Sequence, residues 1–102
     1  MDRVNAPEGG VPVRVELYGV ARHRTGRDAV VLRLPAGSLL GDVVARLASL
    51  YPELVGPVFG PDRRALAPGN VVSFDGERFV RDPSEPIPEG KPLLLLPAAS
   101  GG

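Results

Sequence analysis

Apolar and polar positions alternate strictly from Val11 to Tyr18, with Val11, Val13, Val15 and Leu17 on one side and Arg14, Glu16 and Tyr18 on the other. That is the period of a half-buried β-strand. Between Gly19 and Arg27 the alternation breaks, and it resumes with Val30, Leu32 and Leu34 separated by Val31 and Arg33. These two runs predict a hairpin-like pair joined by a long polar loop. Pro35-Ala36-Gly37 stops the second strand, Ser38 is placed to cap a helix, and Asp42 falls in the first turn, where the helix dipole favours a carboxylate. Leu40, Val43, Val44, Leu47 and Leu50 or Tyr51 then form one apolar stripe at helical spacing, ended by Pro52. Each aliphatic side chain buried along that stripe contributes roughly 1.5–3 kcal/mol, which outweighs the weak helix propensity of Val43 and Val44.

Prolines and glycines punctuate residues 53–70, which reads as loop or short helical turns with Leu54, Val55, Val58, Phe59 and Leu66 as satellite core. Two apolar-rich runs, Val71 to Phe74 and Glu77 to Val80, flank Asp75-Gly76, a strong short-range hairpin signal. Asp82 to Lys91 is turn chemistry with Ile87 as a single apolar plug. Leu93 to Leu96 is a continuous apolar run, as expected of a strand buried on both faces at the sheet centre. The order is ββαβββ. A central last strand must lie beside the first and run parallel to it, which makes the fold class α+β: a β-grasp, ubiquitin-like mixed sheet of about five strands around one main helix. Residues 1–10 read as a flexible N-terminal tail, 11–96 as the β-grasp domain and 97–102 as a flexible C-terminal tail.

The chain of 102 residues is one domain by size, with room for one core and none for an elaborate cleft between lobes. Twelve basic and twelve acidic residues give a net charge of zero, which disfavours nucleic acid and an electrostatically bound membrane as partners. No apolar run approaches membrane-spanning or leader length, so a soluble, cytoplasmic protein is expected. The absence of cysteine excludes disulfides, thiolate metal sites, a cysteine nucleophile and sulfur carried on a side chain. His23, within Arg22-His23-Arg24, reads as part of a solvated loop. Asp75, Glu77 and Asp82 lack an accompanying His or Cys, so no metal site is expected.

Chemistry is therefore sought at the end of the sequence. Pro97-Ala98-Ala99-Ser100-Gly101-Gly102 carries no bulky side chain to bury, and fully extended it reaches at most roughly 20 Å. Gly101 and Gly102 have no Cβ to obstruct a narrow channel. This tail follows a Leu-rich final strand and resembles that of the MoaD/ThiS family of ubiquitin-like sulfur carriers. The resemblance spans Val13 to Gly102: Val15 to Arg22 running into Thr25-Gly26, Leu34 to Gly37 before the helix, Tyr51 to Leu54 after it, Phe74 to Glu77, and Ile87 to Gly90. Leu39 stands near the helix start where many relatives have Thr, and Ala98-Ala99 stands where Pro-Val is common.

The resemblance implies a carrier, not an enzyme, with no catalytic residue on this chain and no bound cofactor. Gly102 would be the adenylate and sulfur acceptor, with Gly101 and Ser100 threading into the partner. A ubiquitin-activating-like enzyme would use ATP to adenylate the Gly102 carboxylate, and a thiocarboxylate would follow. The second partner would be a larger synthase subunit or another sulfur-accepting enzyme. The matched length favours the small subunit of molybdopterin synthase, in molybdenum cofactor biosynthesis. Thiamine, cysteine, tRNA-thiolation and secondary-metabolite carriers share the same outline, and a modifier forming isopeptide bonds is the alternative from another class. Partner docking is expected at the sheet face near the tail, at Tyr18, Leu95 and Pro97.

Overall fold

The computed structural model describes residues 10–74, 76 and 78–98. Its elements are β1 (Val11–Leu17), α1 (Val20–Thr25), β2 (Ala29–Leu34), α2 (Leu40–Leu50), a 3-10 turn (Pro52–Leu54), β3 (Asn70–Ser73), β4 (Phe79–Val80) and β5 (Leu93–Pro97). Sheet order is β2-β1-β5-β3-β4. β1 and β5 run parallel, pairing Val15 with Leu93 and Leu17 with Leu95, and the neighbours β1–β2, β3–β5 and β3–β4 are antiparallel. This is the β-grasp topology expected from the sequence. Because side chains alternate, the register sends Val13, Val15, Leu17, Leu32, Leu34, Val72, Val80, Leu93 and Leu95 to one face. There they meet Leu40, Val43, Val44 and Leu47 of α2.

Three local expectations need correction. The polar loop after β1 is a short helix, α1, because it has a glycine at each end: Gly19 turns the chain at φ 61°, and Gly26 at φ 71° donates its N–H to the Arg22 carbonyl. Ala21 anchors this helix in the core, and the Thr25 hydroxyl bonds back to the Ala21 carbonyl at 2.8 Å. The second correction is that β5 is not buried on both faces: Leu93 and Leu95 are core, whereas Leu94 and Leu96 are half-buried on the outer face. The third is that Leu39, not Ser38, occupies the cap of α2, in extended conformation.

The start of α2 shows why Ser38 is not needed there. The first N–H groups of a helix have no intrahelical partner, and here the Leu40 and Gly41 N–H groups donate to the Glu85 and Pro83 carbonyls, both at 2.8 Å. The Leu39 N–H donates to Asp42 Oδ2 at 2.8 Å, while Asp42 Oδ1 takes both terminal nitrogens of Arg64 at 3.2 Å. Ser38 turns instead to the Pro35 carbonyl, at 2.7 Å. The turn segment before β5 thus serves as the helix cap.

Residues 54–67 are more than satellite core. Leu54, Val58 and Phe59 are fully buried, Leu66 nearly so, and the loop closes on itself through the Ala67 N–H to Val58 carbonyl bond at 2.8 Å. Asn70 ties it to β3 by donating to the Pro57 and Ala67 carbonyls at 3.1 and 3.2 Å. β3 and β4 pair Val72 with Val80 and Ser73 with Phe79, which leaves a longer connection than a two-residue turn. Asp75 and Glu77 lie outside the described residues.

Asp42 holds a backbone donor and a guanidinium at once, so Asp42→Ala should lower stability by about 1–2 kcal/mol, seen in chemical denaturation. Asp42→Asn keeps an acceptor for Leu39 and should lose less than half of that. Equal losses in the two variants would show that the cap contributes nothing.

Candidate functional site

β5 is the central strand, and it ends between two turns. On one side β1 has just finished, and the Tyr18 N–H donates to the Leu95 carbonyl at 3.1 Å before Gly19 turns the chain into α1. On the other side β3 is about to begin, and the Ala98 N–H donates to the Gly69 carbonyl at 2.8 Å. Gly69 adopts φ 88°, a left-handed conformation that favours glycine. Pro97, exposed, packs against Gly19 so closely that a Cβ at residue 19 would stand 2.9 Å from Pro97 Cγ. The chain therefore leaves the sheet between Gly19 and Gly69. Ser100, Gly101 and Gly102, the expected threading and acceptor residues, lie outside the described residues, as does nearly all of the expected N-terminal tail.

The outer face of the sheet carries apolar side chains among Arg14, Glu16 and Ser73. Cross-strand partners share a face, so the pairs Val71 with Leu96, Ser73 with Leu94 and with Phe79, and Arg14 with Val31 assign these side chains to it. Val31 and Phe79 are 61% and 63% exposed, and Val71, Leu94 and Leu96 are half-buried. Lys91, Pro92 and Leu94 with Phe74 and Gly76 line a shallow groove of about 220 Å³ at the start of β5, the end away from the exit. Of the expected docking residues, Tyr18 and Pro97 are exposed. Leu95 is not: at 2% exposure it belongs to the core. The alternation of β5 turns its neighbours Leu94 and Leu96 to the outer face instead.

Tyr18 is held in this face by Glu16, whose Oε1 accepts the phenol hydrogen at 2.8 Å. The bond, reinforced by partial desolvation and by the glutamate's charge, pushes the phenol pKa up from its ordinary value near 10. Arg14 Nε binds the other Glu16 oxygen at 3.3 Å. Across the root of the tail, α1 presents Arg22, His23 and Arg24 in its last turn, with Arg22 paired to Asp28 at 2.9 Å.

No group of His, Asp and Glu side chains among the described residues is arranged to hold a metal. Asp82 accepts the Ser84 N–H at 2.9 Å and the Ser84 hydroxyl at 2.8 Å. These bonds hold its carboxyl below the usual range. Among the described residues no helix is long and apolar enough to cross a membrane.

The phenol of Tyr18 should titrate above an ordinary tyrosine, and Glu16→Gln should bring it back toward the ordinary value, read from its ring resonances against pH by NMR. An identical midpoint in parent and variant would break the assigned contact.

No family model matches the sequence, and no curated protein sequence does. Solved structures do. The chain is similar to SAMP1 of Haloferax volcanii at 26% identity and a TM-score of 0.72, with 89% of this chain and 99% of that one covered. It is similar to the molybdopterin converting factor subunit 1 structure from Pyrococcus furiosus at 20% identity and a TM-score of 0.63, covering 87% and 99%. It is also similar to a chain of the BexX/CysO complex of Amycolatopsis orientalis at 19% identity and a TM-score of 0.64, covering 88% and 99%. The structural neighbours are thus MoaD/ThiS-like proteins, the group to which the flanks of the helix and the tail pointed.

Proposed function

We propose that this protein is a ubiquitin-like sulfur carrier that presents the Gly102 carboxylate to partner enzymes, most favourably in molybdopterin synthesis. The observation that carries the reading is the central β5, which turns Leu94 and Leu96 to the outer face and leads, between Gly19 and Gly69, to the C-terminal segment. That segment ends in Ser100-Gly101-Gly102. The similarity to a molybdopterin converting factor subunit and to a chain of the BexX/CysO complex supports a carrier working with larger partners.

The chemistry follows from the terminus. A free carboxylate is a poor electrophile. Its oxygen attacks the α-phosphorus of ATP in a ubiquitin-activating-like partner, pyrophosphate departs, and the acyl adenylate now has a good leaving group. Hydrosulfide delivered by a sulfur donor then attacks the acyl carbon, AMP leaves, a proton is released, and the resulting thiocarboxylate is nucleophilic at neutral pH. The protein contributes binding and presentation, and the partners contribute the catalytic groups and the ATP. With no cysteine in the sequence, the terminus is the place where it can carry sulfur. Its cellular setting in this reading is the cytoplasm.

The zero net charge leaves shape and apolar contact as the main source of recognition. The docking surface in this reading is the face of Val71, Leu94, Leu96 and Phe79, bordered by Tyr18 and Pro97. The similarity to SAMP1 favours a second reading, in which the activated Gly102 is passed to a lysine of another protein.

Incubation with ATP, an adenylating enzyme of the ubiquitin-activating type and a sulfur donor, followed by intact mass measurement, separates the two readings. A carrier gains sulfur in place of oxygen, whereas a modifier appears joined to other proteins. Deleting Gly101-Gly102 should abolish either product while leaving the melting temperature of the parent unchanged. A truncated chain that still acquires sulfur would sink both readings.

A further inference from the structure

We propose that Gly19 and the Gly69 carbonyl form a two-point clamp that aims the C-terminal segment at the partner, with Gly19 a positioning residue for activation of the carboxylate. The proposal rests on the reading that Gly102 is activated, and it starts from the strand ladder. Ala98 with Gly69 continues the β3–β5 register by one position beyond Asn70 with Pro97, and its 2.8 Å hydrogen bond is a regular ladder bond. Backbone polar groups alternate sides along a strand, so the nitrogen of residue 97 faces β1, which has already ended. Proline at that position leaves no N–H unpaired.

The Pro97 ring is then free to serve as a packing surface, and Gly19 is what it packs on. A Cβ at residue 19 would lie 2.9 Å from Pro97 Cγ and 3.1 Å from Cδ, distances that force one of them to move. Gly19 also holds φ 61° with ψ −130°, a backbone conformation that side chains disfavour. The same residue accepts the His23 N–H at 2.9 Å to start α1. Steric contact on one side and a hydrogen bond on the other thus fix both Pro97 and Ala98. The chain beyond the clamp is Ala99 to Gly102, which even fully extended spans at most about 14 Å. That sets the depth at which a partner's nucleotide must lie below the docking surface.

Two kinds of measurement test the clamp. In the parent, the Ala98 amide should exchange with solvent at least about tenfold more slowly than in an unstructured chain. Exchange at the unstructured rate would overturn the proposal. Activation is then followed by ATP–pyrophosphate exchange with an adenylating enzyme that accepts the parent. Gly19→Ala should lower kcat/KM by about tenfold, since small misplacements of a reacting group are costly.

Adding Pro97→Ala removes the overlapping Cγ and Cδ, so the double variant should regain most of that activity. The strained φ remains, so its lost thermal stability should not return. Activation at the parent level in Gly19→Ala, or a double variant no better than the single, refutes a positioning role. If Gly19→Ala does not fold, Ala98 supplies the test. Ala98→Gly keeps the N–H and should match the parent, whereas Ala98→Pro should lose activation at unchanged melting temperature. Equal activation by those two would also refute the clamp. A parent that is never adenylated counts against the proposed function instead, and the Ala98 exchange rate still decides whether the clamp exists.

Discussion

The parallel pairing of β1 with β5 is the constraint on which the rest depends. It joins one end of the domain to the other, placing Val15 beside Leu93 and Leu17 beside Leu95. All four side chains are essentially inaccessible to solvent. Parallel neighbours cannot be joined by a tight turn, so everything between them, both helices, the other three strands and the loops, must be folded into the crossover. The same pairing brings β5 to the middle of the sheet, where β3 covers its other edge. A central strand that ends the domain can release its chain only at the rim of the sheet, between the ends of its two neighbours. Gly19 and Gly69 occupy that gap because close approach and left-handed turns are both required there.

Around this pairing, the loops act as structural parts. The turn segment before β5 supplies the Pro83 and Glu85 carbonyls that cap α2, and Ile87 returns its own N–H to the Ser38 carbonyl at 3.1 Å. The helix start and the strand that follows are thereby locked together, so displacing α2 would disturb the position of β5. Residues 54–67 add fully buried Leu54, Val58 and Phe59 to the same core as α2. Arg64 from that loop reaches Asp42 at the helix start and lies over Gly41, where a Cβ would come within 2.8 Å of its guanidinium. The small residue at position 41 and the cap at position 42 belong to one contact.

Most of the architecture was legible because it is written in short-range periodicity. The alternation of Val11 to Leu17 and the stripe of Leu40, Val43, Val44 and Leu47 each state an element and its buried face, and the run of leucines before Pro97 states an element without its face. What stayed hidden was decided by distant partners. Ser38 looks like a cap, but carbonyls more than forty residues away satisfy the helix, and nothing near Ser38 announces them. Residues 20–25 are too short and too polar to show a helical stripe, with Ala21 as the single buried residue. Leu93 to Leu96 cannot tell by composition which leucines face out. The register with β1 decides it, leaving Leu94 and Leu96 for the surface and Leu95 for the core. The roles of Gly19 and Gly69 were invisible for the same reason, since each depends on Pro97 or Ala98 arriving beside it.

In the proposed reading, fold and chemistry are divided along the chain. A protein that delivers a reactive end must keep that end free of its own side chains, yet must also give it a definite starting point. The two demands conflict if they fall on the same residues. Here the ladder bond of Ala98 and the seat of Pro97 on Gly19 lie one and two residues before the stretch that this reading requires to be slender. The apolar face of Leu94 and Leu96 lies on the same strand as that root. In the proposed reading, docking surface and exit point therefore share one strand, and a partner that binds the first is already in register with the second.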